Sequence, residues 1–339
     1  MARRRRTRLL PLIAILLALI AGLFVIFRSG GSSSPTARNV PPRREHRQLR
    51  PVARLASHGL PAALSGEAVL GLPGRILVIG GLDSSDVSTS DVLELRTATG
   101  RFTHLGSLSE PRHDTAAAAL AGKFLVFGGG SLTELDSVES LSGGSLQVIG
   151  RLPTARSDLS AIAVAGRVYV LGGYDGTHLL GSVLQTIDGR RFTPVGRLTV
   201  PFRYAAVAAI GRTIYTFGGE LASGLDSDAI QAIDTRSGRT RVIGHLHRPL
   251  SHASAVVLGG RIYVLGGSSA ENTTDEILSF DPSTERLHSA GYLPFPVTNA
   301  AAAGVGQIGY LIGGLDAEGG SLASVIEIRL EAPHPTTRR

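Results

Sequence analysis

The sequence GGRIYVLGG at residues 259–267 contains a short apolar run that ends in a pair of glycines. Variants of this run recur along the chain as RILVIGG (75–81), KFLVFGG (123–129), RVYVLGG (167–173), TIYTFGG (213–219), RIYVLGG (261–267) and IGYLIGG (308–314). The first glycines of the pairs stand at 80, 128, 172, 218, 266 and 313, so successive units are 44 to 48 residues long. A period of this length indicates a repeat architecture.

Each repeat unit predicts four short β-strands. An apolar run such as 253–258 precedes the run with the glycine pair, and a Gly-Arg or Gly-Lys turn joins the two in most units, which is typical of a hairpin. A polar loop, a third strand such as 276–280 and a fourth strand ending in Gly-X-Leu follow. Four strands in a unit of this length, without helical periodicity, predict an all-β propeller with six blades.

The two ends of the repeat region predict how the ring closes. The last unit has three strands, of which the last ends near residue 330, and it lacks a fourth. The segment QLRPVARL (48–55) belongs to no unit of its own and is similar to the fourth strand RFTPVGRL (191–198). We therefore expect this N-terminal strand to complete the sixth blade, because closure of the ring removes an exposed sheet edge.

The repeats resemble the Kelch repeat family over roughly residues 47–330. The resemblance rests on the glycine pairs, on a Tyr three residues before four of them, and on the polar turn Tyr174-Asp175-Gly176. It implies a structural role for Gly80, Gly81, Gly128, Gly129, Gly172, Gly173, Gly218, Gly219, Gly266, Gly267, Gly313 and Gly314. Kelch blades usually carry a Trp on the fourth strand, where this chain has Phe102, Leu146, Phe192, Thr240 and Leu287.

The N-terminal region predicts a membrane anchor. Residues 1–8 contain five arginines, and residues 9–27 form an uncharged run of 19 residues. As a helix this run would be about 28 Å long, close to the hydrocarbon core of a bilayer, which is about 30 Å thick. The apolar core of a signal peptide is shorter, roughly 7–15 residues. We therefore expect one uncleaved transmembrane helix at residues 9–27.

Charge and composition predict the other boundaries. Five arginines precede the predicted span and only Arg28 directly follows it, which favours a propeller on the extracytoplasmic side of the cell membrane. Residues 28–46, rich in Arg, Ser and Pro, predict a flexible stalk, followed by the propeller at 47–330 and a tail at 331–339. The chain has no Cys, which fits an exported domain that needs no disulfides, and its many Gly and Arg residues are typical of high-GC bacteria.

The net charge does not indicate a nucleic-acid partner. The formal charge of the whole chain is +7, but residues 1–54 alone carry +11 and the remaining residues carry −4. The basic residues therefore belong to the segment expected beside the membrane, where they would set the topology and lie near anionic headgroups.

The loops between the second and third strands, and between the fourth and first strands, are expected on one face of the propeller. The candidate ligand-binding residues in these loops are Arg112, His113, Arg156, Asp158, Arg203, Tyr204, His252, Asn299, Tyr174 and Asp175. Arg, Tyr and His around a channel mouth suit a carboxylate, a sugar or an acidic loop of a partner protein. The residues Arg112, Arg156 and Arg203 recur at nearly one position of their units.

The sequence favours a binding or scaffold module over an enzyme. Galactose-oxidase-like Kelch enzymes use a copper site with a cysteine-linked tyrosine, which cannot form in a chain without Cys. No residue spacing indicates a metal site or a Ser-His-Asp set, so we predict no catalytic residue, metal or cofactor. The alternatives are a carbohydrate-active propeller of the sugar epimerase or mutarotase kind, which needs only one acid and one base, and a structural envelope component.

Overall fold

Six four-stranded antiparallel sheets make up the fold of the described chain. A computed structural model describes residues 49–142, 145–270 and 272–333. The first strand, β1 (Arg50–Leu55), belongs to the last blade. Blades 1 to 3 are formed by β2 (Ala68–Leu72), β3 (Arg75–Ile79), β4 (Asp91–Arg96) and β5 (Arg101–Ser107); by β6 (Ala116–Leu120), β7 (Lys123–Phe127), β8 (Ser137–Ser142) and β9 (Ser145–Arg151); and by β10 (Ser160–Val164), β11 (Arg167–Leu171), β12 (Ser182–Thr186) and β13 (Thr193–Arg197).

The second half of the ring repeats this arrangement. Blade 4 contains β14 (Ala206–Ile210), β15 (Thr213–Phe217), β16 (Ala229–Asp234) and β17 (Thr240–His245). Blade 5 contains β18 (Ser254–Leu258), β19 (Arg261–Leu265), β22 (Glu276–Asp281) and β23 (Arg286–Tyr292), with the small hairpin β20 (Ser268–Ser269) and β21 (Asn272–Thr273) in its loop. Blade 6 contains β24 (Ala301–Val305), β25 (Ile308–Ile312) and β26 (Val325–Glu331), together with β1. The predicted six-bladed all-β propeller is confirmed.

The predicted ring closure is also confirmed. Strand β1 pairs antiparallel with β26 in a continuous register from Arg50 opposite Glu331 to Leu55 opposite Ile326. The Arg54 guanidinium also donates a hydrogen bond of 2.9 Å to Glu331. The N-terminal strand therefore becomes the fourth strand of a sheet whose other three strands come from the C-terminal end of the chain.

The second strand of each blade forms the most deeply buried layer. In β3, for example, Ile76, Leu77 and Ile79 have no exposed surface. The first strands are rich in alanine and surround a central channel with a volume of about 210 Å³. Small side chains at these positions let the six first strands approach one another around the axis, while larger apolar residues pack between neighbouring blades.

The glycine pairs hold each blade against the loop that leads into the next one. All twelve glycines have positive φ, as at Gly80 (61°) and Gly81 (108°). The Gly81 N–H donates to the Arg112 carbonyl at 2.9 Å, and a Cβ at Gly80 would lie only 2.4 Å from the same oxygen. A side chain at Gly80 would therefore be strained by the backbone conformation and excluded by the neighbouring loop.

The predicted transmembrane helix at 9–27 and the predicted stalk at 28–46 lie outside the described residues. Within the part of the chain that the structure does describe, no helix has the length and apolar character needed to cross a bilayer. Residues Arg47–Arg339 form one compact unit, which includes every strand of the closed ring. This fragment contains all the contacts of the described fold, and we therefore expect it to fold on its own.

Candidate functional site

The two sets of loops that were expected on one face do lie together. Short antiparallel bridges join the loop entering each blade to the loop between its second and third strands, as between Ser157 and Tyr174 and between Arg203 and Glu220. We call this side the loop face. The opposite side, which we call the turn face, carries the hairpin turns that join strands one and two and strands three and four.

A closed ring of backbone hydrogen bonds surrounds the channel on the loop face. Its members are the equivalent residues Gly66, Asp114, Asp158, Tyr204, His252 and Asn299, which all have φ between 48° and 62°. Each N–H donates to the carbonyl of the ring member in the preceding blade, at distances from 2.7 Å (Asp114 to Gly66) to 3.4 Å (Tyr204 to Asp158). Gly, Asp and Asn adopt this left-handed conformation at the lowest cost, whereas Tyr and His are held in it by their surroundings.

The side chains of the ring form a partly buried cluster of titratable groups. Burial, with the Asp158 charge, raises the pKa of Asp114 to about 8, and burial raises that of Asp158 to about 6. The nearby Tyr204 hydroxyl opposes part of this rise in the pKa of both carboxyl groups, and the Tyr204 ring stacks on His252 with 3.9 Å between the ring centres. Burial lowers the pKa of His252 to about 4. At neutral pH Asp114 is therefore largely protonated and His252 is neutral.

The residues Arg112 and Arg156 do not join this cluster. Both are almost fully buried, with 0% and 1% of their surface exposed. Arg112 donates to the Gly128 carbonyl at 3.0 Å and forms an ion pair with buried Glu139, while Arg156 donates to the Gly172 carbonyl at 3.1 Å. The equivalent residues in the other blades are apolar: Leu64, Phe202, Leu250 and Val297. These two arginines therefore serve as core residues that satisfy the carbonyls of the glycine pairs.

Arg203 belongs to a different position from Arg112 and Arg156, because Phe202 is their equivalent in blade 4. The Arg203 Nε donates to Glu220 Oε1 at 3.0 Å, and its Nη1 lies 3.6 Å from Asp158 Oδ2. Its guanidinium is also 5.3 Å from the centre of the Tyr174 ring and 5.2 Å from that of Tyr204. Arg203 is thus fixed by two carboxylates and two aromatic rings.

A groove of about 860 Å³ begins at Arg203 and runs between the loops of blades 3 and 4. Its wall combines the polar groups of Arg203 and Glu220 with apolar surface from Leu179, Val200, Pro201 and Leu221. This apolar lining was not predicted from the sequence, because its residues lie in loops and do not recur from unit to unit. Tyr174 also lines the groove, and Arg203 contacts both the Tyr174 ring and the Tyr204 ring of the backbone ring.

The other predicted residues have local partners. His113 Nδ1 lies 2.8 Å from the Ser88 hydroxyl, and burial lowers its pKa. The Asp175 carboxylate accepts hydrogen bonds from the backbone N–H groups of Thr177 and His178, which lower its pKa and close the turn beside the groove. Within the described residues, no group of three or more His, Asp or Glu side chains is placed to hold a metal ion.

The fold, the glycine pairs and the loop geometry define a six-bladed β-propeller. The family model described as Kelch motif matches residues 249–286. No curated protein sequence matches the chain. The solved structure of YjhT is similar in fold, with a TM-score of 0.71 and 15% sequence identity, over 82% of this chain and 97% of that chain.

Proposed function

We propose that this chain is a membrane-anchored binding module that holds a cationic segment of a partner protein in the groove between blades 3 and 4. The observation that carries the proposal is the groove of about 860 Å³, in which a fixed Arg203–Glu220 pair borders an apolar wall. Protein interfaces typically place apolar anchor side chains in such pockets and surround them with polar groups. A groove of this size suits a short extended segment better than a flat protein surface.

The charge of the loop face supports a cationic partner over the carboxylate or acidic loop expected from the sequence. The loops between second and third strands contain no Lys or Arg among their described residues, and their acidic residues are Asp83, Asp86, Glu134, Asp136, Asp175, Glu220, Asp226, Asp228, Asp275, Asp316 and Glu318. Among the described arginines of the loops between fourth and first strands, Arg112 and Arg156 are buried, Arg203 already faces Glu220 and Asp158, and Arg248 pairs with Glu276. The face as a whole therefore attracts positive charge.

Peptide binding to the fragment Arg47–Arg339 tests this proposal. The probes are two fluorescent nonapeptides, one alternating Lys and Leu and the other alternating Glu and Leu. We expect only the Lys peptide to bind, and we expect Tyr174→Ala to weaken it by about tenfold or more, the usual effect of removing an aromatic anchor. Leu315→Ala is the matched control, because Leu315 occupies the equivalent bridge position in blade 6. Equal binding of both peptides, or equal loss in both variants, would contradict the proposal.

The membrane anchor is the part of the proposal that rests on the sequence of residues 1–27. Five arginines followed by an apolar run of 19 residues support a single span with the propeller on the extracytoplasmic side. Protease added to intact cells should release the propeller by cutting between residues 28 and 46. Full protection, in cells whose surface layers admit the protease, would place the propeller on the other side.

A sugar-isomerising activity is the second candidate, and one observation favours it. Asp114, largely protonated at neutral pH, and Asp158, largely ionised, are neighbours in the backbone ring, and Asp158 lies 3.6 Å from Arg203, so an acid and a base stand side by side. The test measures whether the Arg47–Arg339 fragment accelerates exchange between the anomers of aldoses and sugar acids. NMR saturation transfer is the readout. Catalysed exchange that disappears in Asp158→Asn would replace the binding proposal with this one, and uncatalysed rates would remove the candidate.

A further inference from the structure

The turn face carries an excess of basic side chains. Among the described residues of the hairpin turns and chain ends there are thirteen basic and five acidic residues. The basic residues are Arg50, Arg75, Arg96, Arg101, Lys123, Arg167, Arg190, Arg191, Arg212, Arg236, Arg239, Arg261 and Arg286. The acidic residues are Asp188, Asp234, Asp281, Glu285 and Glu331. The propeller is therefore polarised, with a basic turn face opposite an acidic loop face.

Most of these basic groups form no ion pair among the described residues. Arg75, Arg96 and Arg261 form ion pairs within the described chain, with Glu94 or Asp281. The other ten make no ion pair there, and all ten are exposed. Surface charges that are neither paired nor packed add nothing to the fold and repel one another, so the excess indicates an external counter-charge.

The pattern fits an extended anionic surface better than a single small anion. The basic residues are spread over the turns of five blades and the chain end of the sixth. Arg50 and Arg261 line one cavity of about 610 Å³, and the other eleven do not line it. In blade 3, Ile187 is 63% exposed in the same turn as Arg190 and Arg191. An exposed apolar side chain beside cations is the combination that enters the headgroup region of a bilayer.

We propose that the turn face docks on the anionic headgroups of a lipid bilayer. The chain enters the propeller at Arg50 on this same face, because β1 begins opposite Glu331 at the turn-face end of β26. If residues 9–27 cross a bilayer, as proposed above, that bilayer is the one on which the turn face docks. Only this choice of bilayer rests on the proposed membrane anchor. The docking itself does not, because every residue that carries it lies in the propeller.

Co-sedimentation of the fragment Arg47–Arg339 with vesicles tests the proposal. One set of vesicles contains phosphatidylglycerol and phosphatidylcholine in equal amounts, and the other contains phosphatidylcholine alone. We expect binding to the anionic vesicles only, and loss of that binding in half-molar salt, because exposed charges are then screened. No binding to the anionic vesicles, or equal binding to both kinds, would overturn the proposal. Binding to a double-stranded DNA oligonucleotide without binding to the vesicles would also overturn it.

Paired variants locate the docking surface. Arg190→Gln with Arg191→Gln removes two charges from the turn face, and each lost charge near an anionic bilayer weakens binding by about fivefold. We therefore expect this variant to bind at least tenfold more weakly. Arg151→Gln with Arg197→Gln removes the same charge from the loop-face ends of β9 and β13, and should bind as the unmodified fragment does. Equal weakening in both variants would overturn the assignment to the turn face. The fragment lacks residues 1–46, so failure to bind vesicles would overturn the docking proposal alone. The membrane anchor and the groove are tested by the separate experiments described above.

Discussion

At the scale of single residues, burial determines which charged side chains serve the fold and which remain available for binding. Arg112 and Arg203 stand in similar loops, yet Arg112 is sealed against Glu139 while Arg203 borders the open groove. Glu67 is buried in the wall of the channel, where its Oε1 accepts a hydrogen bond of 3.3 Å from the Ala301 N–H. Its Oε2 has no hydrogen-bond partner among the described residues.

Glu67 should make the stability of the propeller depend on pH. Burial raises its pKa from 4.5 to about 8. The stability that the protonated carboxyl gives the folded state is therefore fully present below about pH 4.5 and is lost as the pH rises through 8. Glu67→Gln cannot ionise, and its melting temperature should match the unmodified fragment near pH 5 but exceed it by roughly 3–6 °C at pH 8.5. Differential scanning calorimetry across this range measures the gap. A gap that does not grow with pH, or one that Glu318→Gln reproduces from its exposed loop, would contradict this assignment.

Arg112 should matter far more for stability than an exposed arginine. Arg112→Met leaves the buried Glu139 carboxylate without its cation, which typically costs about 3–5 kcal/mol. The double variant with Glu139→Gln should recover part of this loss, because the amide oxygen can still accept from Ser109. Urea unfolding measures the free energies, with Arg248→Met as the exposed comparison, expected to change stability by less than about 1 kcal/mol. Equal effects at Arg112 and Arg248 would mean that the buried pair is not structural.

At the scale of elements, the closing strand β1 completes blade 6 with few buried side chains of its own. Of its six residues only Pro51 is fully buried, so most of its contribution is the backbone ladder with β26. Deletion of β1 therefore tests ring closure while removing few buried side chains from the core.

Removing the closing strand should destabilise the whole ring. A fragment that begins at Ala56 exposes the edge of β26 and loses the contact between the two chain ends. We expect its melting temperature to fall by roughly 5–15 °C relative to the fragment that begins at Arg47. An unchanged melting temperature would show that the strand is dispensable.

The elements could be predicted from sequence because their signals are local and repeated. Apolar runs, turn glycines and the fourth-strand leucines recur in each unit, and the similarity between residues 48–55 and 191–198 indicated the closing strand.

The site could not be predicted to the same depth. The ring from Gly66 to Asn299 shares a backbone conformation and not a residue type, so no motif marks it. One signal in the sequence does distinguish the arginines. Arg112 and Arg156 each follow the leucine of the preceding fourth strand by four residues, whereas Phe202 has that spacing in the next unit and Arg203 follows its leucine by five.

At the scale of the whole molecule, the propeller has two chemically different faces. The acidic loop face holds the groove and the ring of titratable side chains, while the basic turn face carries the entering chain. If the turn face lies on the bilayer, the loop face points away from it and is open to a partner. The two proposed surfaces are therefore compatible with a single orientation.

The central claim is that the groove between blades 3 and 4 binds a partner protein, and site-specific photo-cross-linking tests it most directly. A benzophenone amino acid replaces Leu221 in the groove of the full chain, or Gln147 on the exposed outer strand of blade 2 as the control. We predict that light produces a discrete cross-linked band from position 221 and none from position 147, and that Tyr174→Ala abolishes the band. No band from position 221, or a band that Tyr174→Ala leaves unchanged, would contradict the account.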